Sequence, residues 1–204
     1  MTAAPWIEAG RYYLALLLWI SMPPALLFWV VVHPLARFWR RLGPRWTFLA
    51  MLPLLAALGY AFWSWREPAL AARYPFRWPL SVLGLALYGL AVVIELRCRK
   101  HLTLRILVGV PELRESDPGR LLTEGIYAHT RNPRYLDLMI GVAGFSLVIN
   151  FPAVYWLAIA TVVGLWIVVL LEERELRERF GSPYEEYCRR VPRFVPRSWS
   201  FWRT

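Results

Sequence analysis

A chain of 204 residues that is 58% apolar and 16% aromatic, with twelve tryptophans, is too greasy for a soluble domain of its size. Its formal charge of +10 would suit nucleic acid, but the arginines flank long uncharged runs instead of forming one basic face, which is the pattern of a membrane protein. Cys98 and Cys188, with the scattered His33, His101 and His129, form neither a disulfide framework nor a metal-ligand spacing, so no metal is expected.

Glu8 and Arg11 precede the first apolar run, and a cleaved signal peptide is therefore not expected. A membrane helix needs about 20 apolar residues to cross roughly 30 Å of hydrocarbon. Residues 12–32 meet this, with Met22-Pro23-Pro24 expected to kink the helix near its middle. Residues 46–65, containing Pro53 and Gly59, form a second span. Residues 78–94 form a third, closed by Glu95 and the basic Arg97, Arg99 and Lys100. Residues 138–171 carry no charge at all. As one helix they would be about 51 Å long, so Asn150-Phe151-Pro152 is read as a turn and the run as a tight hairpin, spans four and five. The expected fold is all-α and integral to the membrane, with about five transmembrane helices. Residues 1–100 supply three spans; residues 101–204 supply a loop, the hairpin and the terminal helices of the same membrane domain.

With these spans, twenty lysines and arginines fall on the side of residues 95–134 and the C-terminal tail, against four on the other side. The positive-inside rule then puts the N-terminus outside and the C-terminus in the cytoplasm. The last span continues through Glu172-Glu173-Arg174-Glu175-Leu176 to Phe180 and is expected to project from the membrane. Gly181 suits a C′ position. Ser182-Pro183-Tyr184-Glu185 reads as a capping box opening a short helix to Val191. The tail, residues 193–202, alternates arginine with aromatics as an interfacial segment would.

Polar groups at membrane depth mark candidate sites. The turn-rich stretch Gly119-Arg120-Leu121-Leu122 through Tyr127, the run Arg131-Asn132-Pro133-Arg134-Tyr135 with Asp137, and the pair Glu172-Glu173 are expected to meet at one level of the hairpin. Carboxylates, a guanidinium and tyrosine rings there suit a cationic, amphipathic ligand such as S-adenosylmethionine, whose sulfonium is drawn to aromatic faces. Arg131 would hold a carboxylate of cofactor or substrate. Plainer roles compete: headgroup snorkelling for Arg131 and Arg134, an i,i+4 pair between Glu173 and Arg177, interfacial placement for Tyr127 and Tyr135, and a helix-start cap, the favoured reading, for Asp137.

Residues 119–196 resemble the isoprenylcysteine carboxyl methyltransferase and phospholipid methyltransferase superfamily. The resemblance is carried by Leu121-Leu122-Thr123-Glu124-Gly125-Ile126-Tyr127, Arg131-Asn132-Pro133-Arg134-Tyr135, Glu172-Glu173-Arg174-Glu175-Leu176, Phe180-Gly181-Ser182-Pro183-Tyr184-Glu185-Glu186-Tyr187 and Arg190-Val191-Pro192-Arg193-Phe194-Val195-Pro196. It implies S-adenosylmethionine as methyl donor in a cytoplasmic pocket, with Gly119, Arg120, Leu121, Leu122, Tyr127, Asn132, Pro133, Arg134, Tyr135 and Glu172 at the cofactor. Arg131 and Glu172 are the expected catalytic pair. The implied partners are a lipophilic or lipid-anchored acceptor, foremost a prenylated cysteine carboxylate or a thiol, and membrane lipids, not nucleic acid. Asn132 stands where the family often has histidine, and Asp137 where it usually has glycine. Two other readings fit the same motifs: an NADPH-binding reductase related to the membrane sterol reductases, and a non-catalytic membrane adaptor.

Overall fold

The structure, a computed structural model, describes residues 4–32, 35–99 and 121–196. All regular structure among these residues is helical: α1 (Pro5–Val32), α2 (Ala36–Leu42), α3 (Pro44–Ser64), α4 (Arg66–Leu70), α5 (Trp78–Arg99), a 3-10 turn (Gly125–Ala128), α6 (Pro133–Ile149), α7 (Pro152–Phe180) and α8 (Ser182–Arg190). Prolines open α3, α6 and α7, where their missing amide would have had no partner in any case. Helix α1 is continuous through Pro23 and Pro24. Among the described residues four helices, α1, α3, α5 and α7, are long and apolar enough to cross a membrane. Helix α6 has 17 residues, about 26 Å of rise, and is the shortest of the helices that build the bundle.

The expected hairpin is present. Asn150 takes left-handed backbone angles (φ 57°, ψ 51°) after α6, and α7 begins two residues later. Asparagine tolerates that conformation better than other residues with a Cβ. Helix α6 also lies directly on α5. A Cβ on Gly84 would fall 2.5 Å from the Gly144 carbonyl oxygen, and one on Gly144 would fall 2.6 Å from that of Gly84. The two backbones touch because neither residue has a side chain, the usual way membrane helices approach closely. Large apolar side chains such as Leu17, Leu52, Leu85 and Trp156 point outward and stay exposed, as a lipid-facing surface requires.

At the turn end of the hairpin, Arg11 of α1 is only 3% exposed. Its Nε donates to the Ile149 carbonyl at 2.8 Å, and Nη2 donates to the carbonyls of Tyr74 (2.8 Å) and Asn150 (3.2 Å). Nη1 pairs with Glu8 at 2.8 Å. The guanidinium thus takes up the Ile149 carbonyl at the end of α6, and it shares the Asn150 carbonyl with the Tyr74 amide (3.1 Å). Asn150 adds a bond to the Pro75 carbonyl and accepts one from the Tyr155 hydroxyl.

At the other end, one sequence expectation fails. Gly181 (φ 59°) terminates α7 and is also the N-cap of α8, so Ser182 lies inside the helix and makes no capping bond. A glycine that already reverses the chain leaves its own carbonyl to accept the Tyr184 and Glu185 amides (3.1 and 3.2 Å), and no capping box forms.

Candidate functional site

The end of the bundle opposite the turn is organised by Glu173. This side chain is 0% exposed, and a buried carboxylate must be matched by donors or it is strongly destabilising. Arg131 supplies Nε (3.2 Å) and Nη2 (3.0 Å) to its Oε1, and Asn132 Nδ2 reaches the same oxygen at 3.0 Å. Arg193 donates from Nε to Oε1 (3.1 Å) and from Nη2 to Oε2 (2.8 Å). Arg177, the i,i+4 partner expected from the sequence, stands off at 3.6 Å. The Arg131-Asn132 segment and the exit of α7 therefore do meet. The carboxylate that joins them is Glu173, with Glu172 beside it.

Arg131 is bonded through each of its three nitrogens. Its Nη1 is bonded to the carbonyls of Cys188 (2.9 Å) and Val191 (2.8 Å), so all three nitrogens are engaged within the protein. The chain after α8 is laced to the segment before α6: the amides of Arg131 and Asn132 donate to Pro192 O (2.9 Å) and Arg193 O (3.1 Å), and Thr130 Oγ1 donates to Arg193 O (3.2 Å). Phe194 tucks beside Trp166, ring centroids 5.2 Å apart. Through Phe194, then, the tail is strapped onto the bundle, where the sequence suggested an interfacial segment. Its arginine meets a buried carboxylate that no local pattern announces. Residues 197–202 of that expected segment lie outside the described residues.

Helix α8 completes the strap. Tyr184, Tyr187 and Val191 are buried and pack with Leu121, Leu176 and Phe180. The Tyr187 hydroxyl donates to the Tyr127 carbonyl at 2.6 Å. Burial pushes the phenols of Tyr127, Tyr184 and Tyr187 above the usual tyrosine range, which keeps them neutral donors. The bond to Glu173 raises Arg193 further still, so the strap keeps its charge.

Inside this frame, among the described residues, three buried carboxylate oxygens lack hydrogen-bond donors: Oε2 of Glu172 and both oxygens of Asp137. The other side of the Glu172 carboxylate takes the Tyr135 hydroxyl, with the Arg134 guanidinium nearby. Arg134 lies over the Trp29 ring of α1, 5.4 Å from its centroid. Asp137 is 4% exposed and faces Glu95 of α5. Two carboxyls bond to one another only through a shared proton, so as carboxylates they leave each other unsatisfied. The expected helix-start cap is thereby corrected. Asn132 holds the N-cap position of α6 and makes no side-chain cap, while Asp137 sits a full turn inside the helix.

Of the other residues named from sequence, Pro133 is buried at the first turn of α6, and Tyr135 packs on Leu165, Val168 and Val169. Tyr127 packs with Ile94, Cys98 and Ile126. Leu121 and Leu122 are half-buried, and Gly119 and Arg120 lie outside the described residues. Sequence reasoning missed the central place of Glu173, the role of Arg193, and the approach of Glu95 to Asp137. The last had a readable signal: an acid in the final turns of one apolar run and another just inside the next.

Comparison with known proteins agrees with the resemblance. A family model described as phospholipid methyltransferase matches residues 80–183. Among individual relatives, protein-S-isoprenylcysteine O-methyltransferase B of Arabidopsis thaliana is 30% identical over 119 residues, 57% of this chain and 56% of that protein. Methanethiol S-methyltransferase 1 of Bradyrhizobium diazoefficiens is 30% identical over 83 residues, 41% of this chain and 28% of that protein. The protein-S-isoprenylcysteine O-methyltransferase of Schizosaccharomyces pombe is 32% identical over 81 residues, 37% and 33% of the two chains. The matches thus span little more than half the length of the first relative and a third or less of the others. No solved structure matches. The family match begins in the first turn of α5 and runs through α6 and α7 into α8, taking in Asp137, Glu172 and Glu173, and it covers half of the sequence: the chain belongs to the phospholipid methyltransferase family.

Proposed function

We propose that the protein is an S-adenosylmethionine-dependent methyltransferase acting on a lipophilic or lipid-anchored acceptor, with its N-terminus outside, five spans including α6, and its C-terminus and site in the cytoplasm. The observation that carries the cofactor reading is the buried Oε2 of Glu172, which has no donor among the described residues, next to the Tyr135 hydroxyl and Arg134. A carboxylate left half-satisfied is stabilised by a cationic ligand, and the donor brings an ammonium and a sulfonium. Leu121, Leu122, Tyr127, Asn132, Pro133, Arg134, Tyr135 and Glu172 are the proposed cofactor residues, with Gly119 and Arg120 from the adjoining loop. When bound, the donor supplies an electrophilic methyl group on its sulfonium.

The protein's part is to bind, orient and exclude water. Glu172 and the aromatic rings hold the cation, and Arg134, over Trp29, lies beside Glu172 and suits a carboxylate of donor or acceptor. Arg131, whose three nitrogens all bond Glu173 or main-chain carbonyls, acts as a positioning residue: it fixes the strap that covers the donor. The leading acceptors are a prenylated cysteine carboxylate and a thiol, in line with what the relatives' names say of those proteins.

Competition binding on the detergent-solubilised protein tests this reading. S-adenosylmethionine and S-adenosylhomocysteine should bind and displace each other, and NADPH should not compete. Preference for NADPH would make the protein a reductase. Donor binding without release of S-adenosylhomocysteine in the presence of membrane extract would make it a non-catalytic adaptor.

A further inference from the structure

Asp137 is the costliest side chain in the bundle that the proposed donor site does not use. It lies between α5 and α6 with 4% exposure, and among the described residues neither oxygen has a donor other than a proton shared with Glu95; burial of such a group costs several kcal/mol, roughly, unless something compensates it. The charged and titratable groups facing it are Glu95 and Cys98 from α5 and Arg134 from its own helix. Arg99 already pairs with Glu95 at 2.6 Å. Arg134 stands close to Glu95, Asp137 and Glu172 alike. One guanidinium therefore stands among three carboxyls, one of them paired elsewhere, and the Asp137–Glu95 pair is held together by at most one shared proton. Glu172 lies on the α7 side of Arg134 and Asp137 on the α5 side.

A carboxyl pair with room for a further proton serves an acceptor that arrives neutral and leaves a proton behind; a carboxylate acceptor has no proton to give up and no use for such a pair. We propose that the Asp137–Glu95 pair is the proton acceptor of the reaction and that the methyl acceptor is a lipophilic thiol, not the carboxylate of a prenylated cysteine. The inference rests on the methyltransferase reading above and narrows its substrate. In the step it implies, a lone pair of the thiol sulfur forms the new bond to the methyl carbon. The bond from that carbon to the donor's sulfonium breaks, its electron pair staying on the donor sulfur, which becomes a neutral thioether. The S–H proton passes to the carboxyl pair. The pair, holding at most one shared proton between its two acids, keeps one carboxylate equivalent to receive it, and the proton then leaves to water from Glu95, the more exposed of the two.

The test uses the full chain in lipid nanodiscs, with three acceptors: 1-octanethiol, an aryl thiol already ionised at the assay pH, and N-acetyl-S-farnesylcysteine. Octanethiol should be methylated and the farnesylcysteine carboxylate should not. Asp137→Asn should slow octanethiol turnover by about a hundredfold or more, the range of a lost general base, and flatten the acid limb of its pH profile. The same variant should treat the pre-ionised aryl thiol nearly as the parent does, which damage to the fold would not allow. Asp137→Glu should restore most of the octanethiol rate. Calorimetric binding of S-adenosylmethionine should be the same in parent and Asp137→Asn, and the variant's thermal midpoint should not fall below the parent's, since the substitution removes a buried carboxylate. An infrared band of a buried protonated carboxyl should be present in the parent and lost in Asp137→Asn. Preferred methylation of farnesylcysteine, or an equal loss on both thiols in Asp137→Asn, overturns the inference while leaving the methyltransferase reading intact. Failure of the parent to bind the donor at all overturns the reading on which it rests.

Discussion

The two ends of the α6–α7 hairpin use the same residue type to opposite effect. At the turn, Arg11 saturates the last carbonyls of α6 and the Asn150 turn, and the buried polar atoms of that cluster are bonded. At the open end, Arg131 and Arg193 likewise saturate a buried acid, Glu173, yet three carboxylate oxygens on Glu172 and Asp137 stay without donors within reach of that frame. A closed polar network rigidifies; an incomplete one costs free energy unless a ligand completes it. The difference marks one end as a clasp and the other as a site, and it separates the arginines that hold the fold from the acids left for chemistry.

The largest effect should come from the acid that both arginines share. Glu173→Ala leaves Arg131 and Arg193 facing a buried gap, and removing one partner of a buried pair costs about 3–5 kcal/mol. Much of the folded protein should be lost in a thermal melt, and the strap over α8 should become protease-sensitive. Retained stability would mean that Glu173 is not the centre of that end. Glu172→Gln should do the reverse. Stability should hold, whereas affinity for S-adenosylmethionine in a binding assay should fall about ten- to a hundredfold, the equivalent of one charge-assisted bond of roughly 1.5–3 kcal/mol. Unchanged affinity would remove Glu172 from the donor site. Arg11→Ala should cost about 1–3 kcal/mol, because it leaves buried carbonyls without donors. Donor affinity should not change. A loss of affinity there would join the two ends energetically and break the contrast.

How far the sequence reached follows the same divide. The hairpin was legible because 34 uncharged residues cannot cross a bilayer once, and Asn150 and Pro152 sit where a turn and a helix start are needed. The meeting of Arg131-Asn132 with the α7 exit followed from that topology alone. Which acid makes the contact did not. Glu172 and Glu173 are adjacent on a helix, and about 100° of rotation, set by packing against Val168, Val169 and Tyr135, decides which one faces the strap. Arg11 entered the sequence reading only as a charge before the first apolar run, because its partners are main-chain carbonyls more than 60 residues away, and carbonyls carry no sequence signal. Asp137 read as a cap because its true neighbour, Glu95, lies on another helix, brought close by the Gly84–Gly144 contact.

The smallest effect sharpens the contrast most finely. Tyr187 holds the strap to the stretch before α6 by one hydrogen bond, from its hydroxyl to the Tyr127 carbonyl at 2.6 Å. Tyr187→Phe keeps the ring that packs on Tyr184 and Val191 and removes only that bond, so the stability cost should be about 0.5–1.5 kcal/mol. Burial holds the Tyr187 phenol above its ordinary value. The unfolded chain therefore ionises first as pH rises, and this contribution is complete below about pH 10 and is lost above it. Denaturant titrations should show the parent and Tyr187→Phe separated by a constant gap at neutral pH, closing on the alkaline side. If Tyr127 lies over the donor as proposed, S-adenosylmethionine should also bind Tyr187→Phe a few-fold more weakly. A stability loss with no change in affinity would make the bond part of the strap alone and confine the site to α5, α6 and α7.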